Sequence, residues 1–224
     1  MLKHLPNFLT CCNLFCGCAG IVAVAENQPR LASVLIFIGL LFDFLDGFVA
    51  RLLKAYSEIG KQLDSLADMV TFGVLPSLLV FHLFHSKEFF AYFSFLIAVF
   101  SALRLARFNT DTRQTDQFIG LPTPANAVFW ASLAFIFVQH PYLEAIIGRV
   151  DVLLTLTLLM SCLLVVPLPL LALKFKDFSW RNNQVRYVFL ILSVILLVIW
   201  QFLAVPLIIL LYIVCSIIFK NALH

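Results

Sequence analysis

Apolar residues run in blocks near 8–25, 31–53, 63–84, 89–106, 121–139, 152–173, 186–203 and 205–219, separated by short polar or proline-containing breaks. A helix needs about 20 mostly apolar residues, with a range of about 17–25, to cross the hydrocarbon core of a bilayer. The blocks predict an all-α, polytopic membrane bundle of about eight transmembrane helices. The last block is short, and only the Ala204–Pro206 break separates it from its predecessor. No internal repeat or long linker interrupts the pattern, so residues 1–224 read as a single integral membrane domain. The first block ends in Ala23-Val-Ala25, which resembles a leader cleavage site. Asn7, Thr10 and Asn13 interrupt its apolar run and further spans follow, so it reads as a first span.

Composition agrees. The chain is 62% hydrophobic and 12% charged, with a mean hydropathy of +1.03, against about 45–50% apolar and about 25% charged in soluble domains. The net charge of +3 is small and the basic residues form no stripe, which argues against nucleic acid as a partner. Six cysteines, including the Cys11–Cys18 cluster without a CxxC pair, sit in apolar segments and read as small hydrophobes. With eight spans both termini share one side. That side carries Lys3, Arg51, Lys54, Lys61, Arg104, Arg107, Arg113, Lys174, Lys176, Arg181, Arg186 and Lys220, and the other only Arg30, Lys87 and Arg149. Twelve basic residues against three put both termini, and the 43–68 connection, on the cytoplasmic side.

Against this background four acids need a reason. Asp43 and Asp46 are three apart at the end of the second block, and Asp64 and Asp68 are four apart at the start of the third. At helical spacing each pair shares a face. Each charge at the bilayer centre costs roughly 2.5–3.5 kcal/mol on insertion scales, so the acids require partners. Arg51 alone cannot neutralise them, but divalent cations can: hard cations take oxygen ligands, and Mg2+ binds a few carboxylates together with substrate phosphate. Two ions about 3.5–4 Å apart can clamp both oxygens of an in-line phosphoryl displacement. Gly47, Ala50 and Gly60 let helices and a bulky ligand approach closely.

The array D-x-x-D-G-x-x-A-R, eight residues, G-x-x-x-D-x-x-x-D, carried by Asp43, Asp46, Gly47, Ala50, Arg51, Gly60, Asp64 and Asp68, resembles the signature of the CDP-alcohol phosphotransferases. The resemblance implies that Asp43, Asp46, Asp64 and Asp68 hold two divalent cations, Mg2+ or Mn2+, that grip the pyrophosphate of CDP-diacylglycerol. It implies that Gly47, Ala50, Arg51 and Gly60 line the CDP site, with Ser57 either joining them or serving as an ordinary helix cap. Asp68 is the implied general base for an attacking alcohol, with CMP leaving. A homodimer is also implied.

Three stretches resemble the bacterial phosphatidylserine synthase branch of this family: Pro6 to Gly17, with Asn7 and Thr10 as donor-site candidates; Ser101 to Asn109; and Gly120 to Asn126. L-serine is the implied acceptor and membrane lipid the surroundings. Arg104 and Arg107, three apart, suit a serine carboxylate. They equally suit glycerol 3-phosphate or inositol phosphate, and they also suit anchoring at a helix end. Acceptor-pocket candidates therefore span 101–126, beside a catalytic signature at 43–68. Pro122 and Pro124 read as a rigid loop entering a helix. His82 and His85 read as interfacial residues, Asp111, Arg113 and Asp116 as a solvated loop, and Lys174–Arg186 as a basic loop at the lipid surface. Residues 127–224 carry no motif with readable chemistry. A rival class is a divalent-cation transporter that uses the four acids as a pathway. Transport favours acids near the midplane and broken spans in both halves, whereas these cluster toward one interface in the first third of the chain.

Overall fold

A computed structural model of the chain describes residues 4–84, 89–110, 118–167, 169–170 and 180–218. Lys3, His85, Lys87, Asp111, Arg113, Asp116, Lys174, Lys176 and Lys220, which carried parts of the orientation, histidine and loop readings, lie outside the described residues.

The protein is all-α. Helices α1 (Leu5–Ala25) and α2 (Pro29–Leu52) each have proline in the first turn, where its missing N–H costs nothing. The third apolar block is compound: α3 (Glu58–Asp68), a π-helical turn (Met69–Val74) and α4 (Leu75–Leu83) follow without a break. A 3-10 turn (Phe89–Ser94) leads into α5 (Phe95–Thr110), and α6 (Thr123–Gln139) follows. Helices α7 (Pro141–Ile147) and α8 (Val150–Val165) meet at a 75° bend. A two-residue antiparallel bridge pairs β1 (Phe118–Ile119) with β2 (Pro169–Leu170). Helix α9 (Trp180–Trp200), a 3-10 turn (Gln201–Leu203) and α10 (Ala204–Ile218) complete the described chain.

Among the described residues five helical stretches are long and apolar enough to cross a membrane, or six if the bent α7–α8 pair is one span. The expected number of eight is not reached on this measure. Helix α6 has 17 residues and falls just short. The stretch 186–216 passes as one unit, yet it folds back on itself. Gln201 takes a positive φ of 49°, and the Phe189 and Tyr212 rings lie 5.8 Å apart across the reversal. Two expected boundaries also move. Helix α3 starts at Glu58 rather than near 63, because its first half is polar and hydropathy alone does not see it. Helix α8 stops at Val165 rather than near 173, because Val166 (ψ 131°) precedes Pro167, and a residue before proline avoids the helical region.

Helix α6 is the centre of the bundle. Ala127, Trp130, Ala131 and Ala134 are fully buried there, against Phe72, Leu75 and Leu79 of the third span and Ile36 of α2. A helix apolar all round belongs inside a bundle. Phe8, Phe15, Leu41, Phe44 and Phe48 point outward, which in a lipid solvent carries no penalty.

The N-terminal helices close on the π turn through small residues. A methyl added at Gly17 would strike Thr71 Oγ1 and lie 3.0 Å from Thr71 Cα, and one at Gly39 would lie 2.6 Å from Thr71 Cγ2. Thr71 in turn donates from Oγ1 to the Asn13 carbonyl at 2.9 Å. Gly17→Ala is expected to lower stability by about 1–3 kcal/mol, since backbone must shift to admit the methyl. Thermal unfolding in detergent measures it, and an unchanged midpoint would remove this junction from the account.

Candidate active site

The chain reverses between α2 and α3 in five residues. Lys54 takes φ 49°, and Ala55 N–H donates to the Ala50 carbonyl at 3.0 Å. Ser57 then caps α3, its Oγ accepting from Gly60 N–H at 3.0 Å. This tight return sets the last turns of α2 against the first turns of α3, so the two acidic faces meet.

Carboxylate oxygens of Asp43, Asp64 and Asp68 lie within 4.8 Å of one another. An all-oxygen set this close suits a hard divalent cation, which would relieve the mutual repulsion of the three groups. Asp46 takes a different place. It is 6% exposed, and Thr10 Oγ1 donates to its Oδ2 at 2.5 Å. The same hydroxyl lies 3.1 Å from the Pro6 carbonyl. Asp68, 8% exposed, accepts at Oδ1 from Asn13 Nδ2 at 3.3 Å. Helix α1 therefore orients an acid on each of the other two helices.

Beside the acids lies a cavity of about 230 Å³ lined by Pro6, Asn7, Thr10, Asp46, Gly47, Ala50, Ala55, Tyr56, Ser57, Gly60, Lys61 and Asp64. Six of the seven residues expected around the CDP group are on this wall: Asn7, Thr10, Gly47, Ala50, Ser57 and Gly60. The seventh, Arg51, folds back so that its Nε donates to the Gly47 carbonyl at 3.0 Å. Ser57 caps α3 and also lines this cavity. The small residues matter for space. A methyl at Gly47 would have only Arg51 Nη2 near it, at 4.0 Å, so it would occupy the cavity, and one at Gly60 would lie 2.9 Å from Asn7 Oδ1.

Arg104 is half-buried and donates from Nη1 to Thr123 Oγ1 at 3.4 Å. Arg107 is exposed and its Nη1 reaches the Val165 carbonyl at 3.5 Å, so the two arginines turn to different neighbours. At the same end of the bundle Lys61 Nζ donates to the Asn109 carbonyl at 3.2 Å, and Asn109 Nδ2 donates to Ser65 Oγ at 2.8 Å. These bonds tie α3 to the end of α5.

Sequence reasoning placed Asn13 only within the Pro6–Gly17 stretch, without its contact to Asp68, and passed over Tyr56 and Lys61, which had no signal beyond their proximity to Ser57 and Gly60. All six cysteines are free, and none belongs to the acidic cluster.

The chain is 35% identical over 147 residues to a Bacillus subtilis CDP-diacylglycerol–serine O-phosphatidyltransferase, an alignment covering 65% of this chain and 82% of that protein. It is 37% identical over 147 residues to the Helicobacter pylori (strain J99) protein of the same name, covering 64% of this chain and 62% of the relative. For the Mycobacterium tuberculosis (strain H37Rv) protein of that name the figures are 38% over 146 residues, 62% and 51%. The sequence profile of the CDP-alcohol phosphatidyltransferase family matches residues 3–166, which take in α1 to α8, the four acids and the cavity beside them. With both the profile and the geometry in agreement over most of its length, the chain belongs to the CDP-alcohol phosphatidyltransferase family.

Proposed function

We propose that this multi-pass membrane protein transfers the phosphatidyl group of CDP-diacylglycerol to the hydroxyl of L-serine, giving phosphatidylserine and CMP. The observation that carries this reading is the joining of the Asp43–Asp64–Asp68 cluster to a cavity walled by the family's donor-site residues. The names of the bacterial relatives supply the acceptor.

In this reading the cytidine and pyrophosphate lie against Gly47, Ala50 and Gly60, where the backbone is open, with Asn7, Thr10 and Ser57 offering polar contacts. Arg51 sits one turn beyond Gly47 and suits a phosphate oxygen. Asp43, Asp46, Asp64 and Asp68 would hold two divalent ions, Mg2+ or Mn2+, whose charge would neutralise the acids and the charge that develops on the pyrophosphate. Asp46 keeps its place through Thr10. The diacylglycerol tails lie between helices in the membrane.

The serine hydroxyl oxygen attacks the phosphorus next to diacylglycerol. A new P–O bond forms, the bond to the CMP oxygen breaks, and Asp68 takes the hydroxyl proton. Asn13 holds one Asp68 oxygen and leaves the other for that proton. Arg104, which donates to Thr123 where α5 meets α6, binds the serine carboxylate, and Arg107 adds positive charge at the entrance. The active site and both termini face the cytoplasm across the bacterial inner membrane, in keeping with the basic residues gathered at this end, and the enzyme works as a homodimer.

The test is CMP release by purified protein in detergent with CDP-diacylglycerol and Mg2+ or Mn2+, comparing L-serine, glycerol 3-phosphate and inositol phosphate. Release with serine alone is expected. Release with another alcohol would keep the metal site and overturn the acceptor. No release from folded, metal-loaded protein would favour cation transport, which needs no CDP-lipid. Arg104→Ala is expected to raise KM for serine about tenfold or more while moving KM for the CDP-lipid little. Equal rises for both would remove Arg104 from the acceptor pocket.

A further inference from the structure

Helix α6 carries an unexplained group one turn in from Thr123. Asn126 is fully buried, and neither Oδ1 nor Nδ2 of its amide has a hydrogen-bond partner among the described residues. Buried amides in native proteins are nearly always satisfied, so such a group calls for a missing ligand or water. Asn126 does not stand alone. Ser101 Oγ and Arg104 Nε, one turn apart on α5, are also buried and unpartnered. The two helices meet where Arg104 Nη1 donates to Thr123 Oγ1, and Asn126 lies about 4.5 Å farther along the same face of α6. Ser101 Cβ lies only 3.2 Å from the position a Gly73 methyl would take, in the π turn that follows Asp68. The unpartnered groups thus sit on α5 and α6, both of which pack against the π turn that follows Asp68.

Their chemistry is mixed. Arg104 Nε is a donor for an anion. Asn126 Oδ1 and Ser101 Oγ are uncharged acceptors, suited to an ammonium group. We propose that Asn126 determines acceptor specificity, its amide oxygen receiving the ammonium group of an amino-acid alcohol whose carboxylate is held by Arg104. The inference rests on the serine-transfer reading and deepens it. A zwitterion satisfies both kinds of group. A phosphorylated polyol such as glycerol 3-phosphate would set extra negative charge against an amide oxygen and leave the ammonium position empty, which selects against it. A neutral amide does this without adding a fifth carboxylate beside Asp43, Asp46, Asp64 and Asp68.

The experiment measures CMP release for the wild type, Asn126→Leu and Asn126→Asp in detergent, with L-serine varied, and the inhibition constant of 3-hydroxypropanoate, which is serine without its ammonium group. Asn126→Leu is expected to lower kcat/KM for serine about 10–100-fold, with KM for CDP-diacylglycerol and the 3-hydroxypropanoate constant each within about twofold of wild type. A merely structural role would weaken serine and 3-hydroxypropanoate together, and that result overturns the inference, as does an unchanged KM for serine. Asn126→Asp keeps an oxygen for the ammonium group and is expected to hold serine KM within about threefold of wild type. If the leucine variant fails to fold, loss of serine binding in Asn126→Asp with an unchanged CDP-lipid KM overturns the inference on its own. Wild-type protein that releases no CMP with serine would instead overturn the reaction, whatever Asn126 does.

Discussion

Asp68→Asn is expected to lower serine-dependent CMP release by about 10²–10⁴-fold, the usual contribution of a positioned general base. Binding of CDP-diacylglycerol, read as a ligand-dependent rise in the thermal unfolding midpoint, should survive. The asparagine is nearly the same size and keeps an oxygen to accept from Asn13 Nδ2, so the contact that fixes residue 68 is retained. What is lost is a group able to take the hydroxyl proton. Loss of CDP-lipid binding together with turnover would show that Asp68 serves chiefly as a metal ligand, a role its place in the three-carboxylate cluster also allows.

Asp43→Ala should fail in the other way. Asp43 belongs to the same cluster but stands on α2, with the cavity-lining Gly47 and Ala50 following on that helix. Removing it takes a ligand from the proposed ion site and leaves Asp64 and Asp68 facing one another. Metal-assisted charge stabilisation contributes several kcal/mol, and each 1.36 kcal/mol is tenfold in rate, so turnover should fall by about 10³-fold or more. The midpoint rise caused by Mn2+ with CDP-diacylglycerol should shrink with it, and raising Mn2+ should recover part of both. Full CDP-lipid binding at ordinary Mn2+ in this variant would place the ions elsewhere. The two substitutions together separate proton transfer from donor binding.

The membrane class and the pairing of the acids were legible in the chain, because each depends on composition or on spacing within one helix; that Asn7, Thr10, Gly47, Ala50, Ser57 and Gly60 line one cavity depends on how three helices pack. Asp43 and Asp46, like Asp64 and Asp68, share a face simply because they are three and four residues apart. Contacts between helices were not legible. That Thr10 would hold Asp46, and Asn13 would hold Asp68, depends on how α1 crosses the α2–α3 hairpin, and only packing decides it. The end of α8 could have been read from Val166-Pro167, but the apolar residues beyond it carried the hydropathy signal onward. Arg104 and Arg107 look equivalent in sequence and part in space, one turned to Thr123 and the other to Val165. The unpartnered amide of Asn126 could not be foreseen at all, since satisfaction is a property of neighbours.

The π turn at Met69–Val74 has its own consequence. An α-helix advances about 100° per residue, and a π turn accommodates an additional residue within the winding of a continuous rod. The third span is therefore two helical wheels out of phase by about that angle. Up to Asp68 the first wheel turns its polar spokes toward the acids of α2; after Val74 the second turns Leu75, Leu79 and Leu83 into the apolar interior. A periodicity plot fitted through residues 58–83 as one helix would blur both faces, and substitution tolerance along this span will show a break in rhythm at the π turn, the place where the chain changes from gathering carboxylates to filling space.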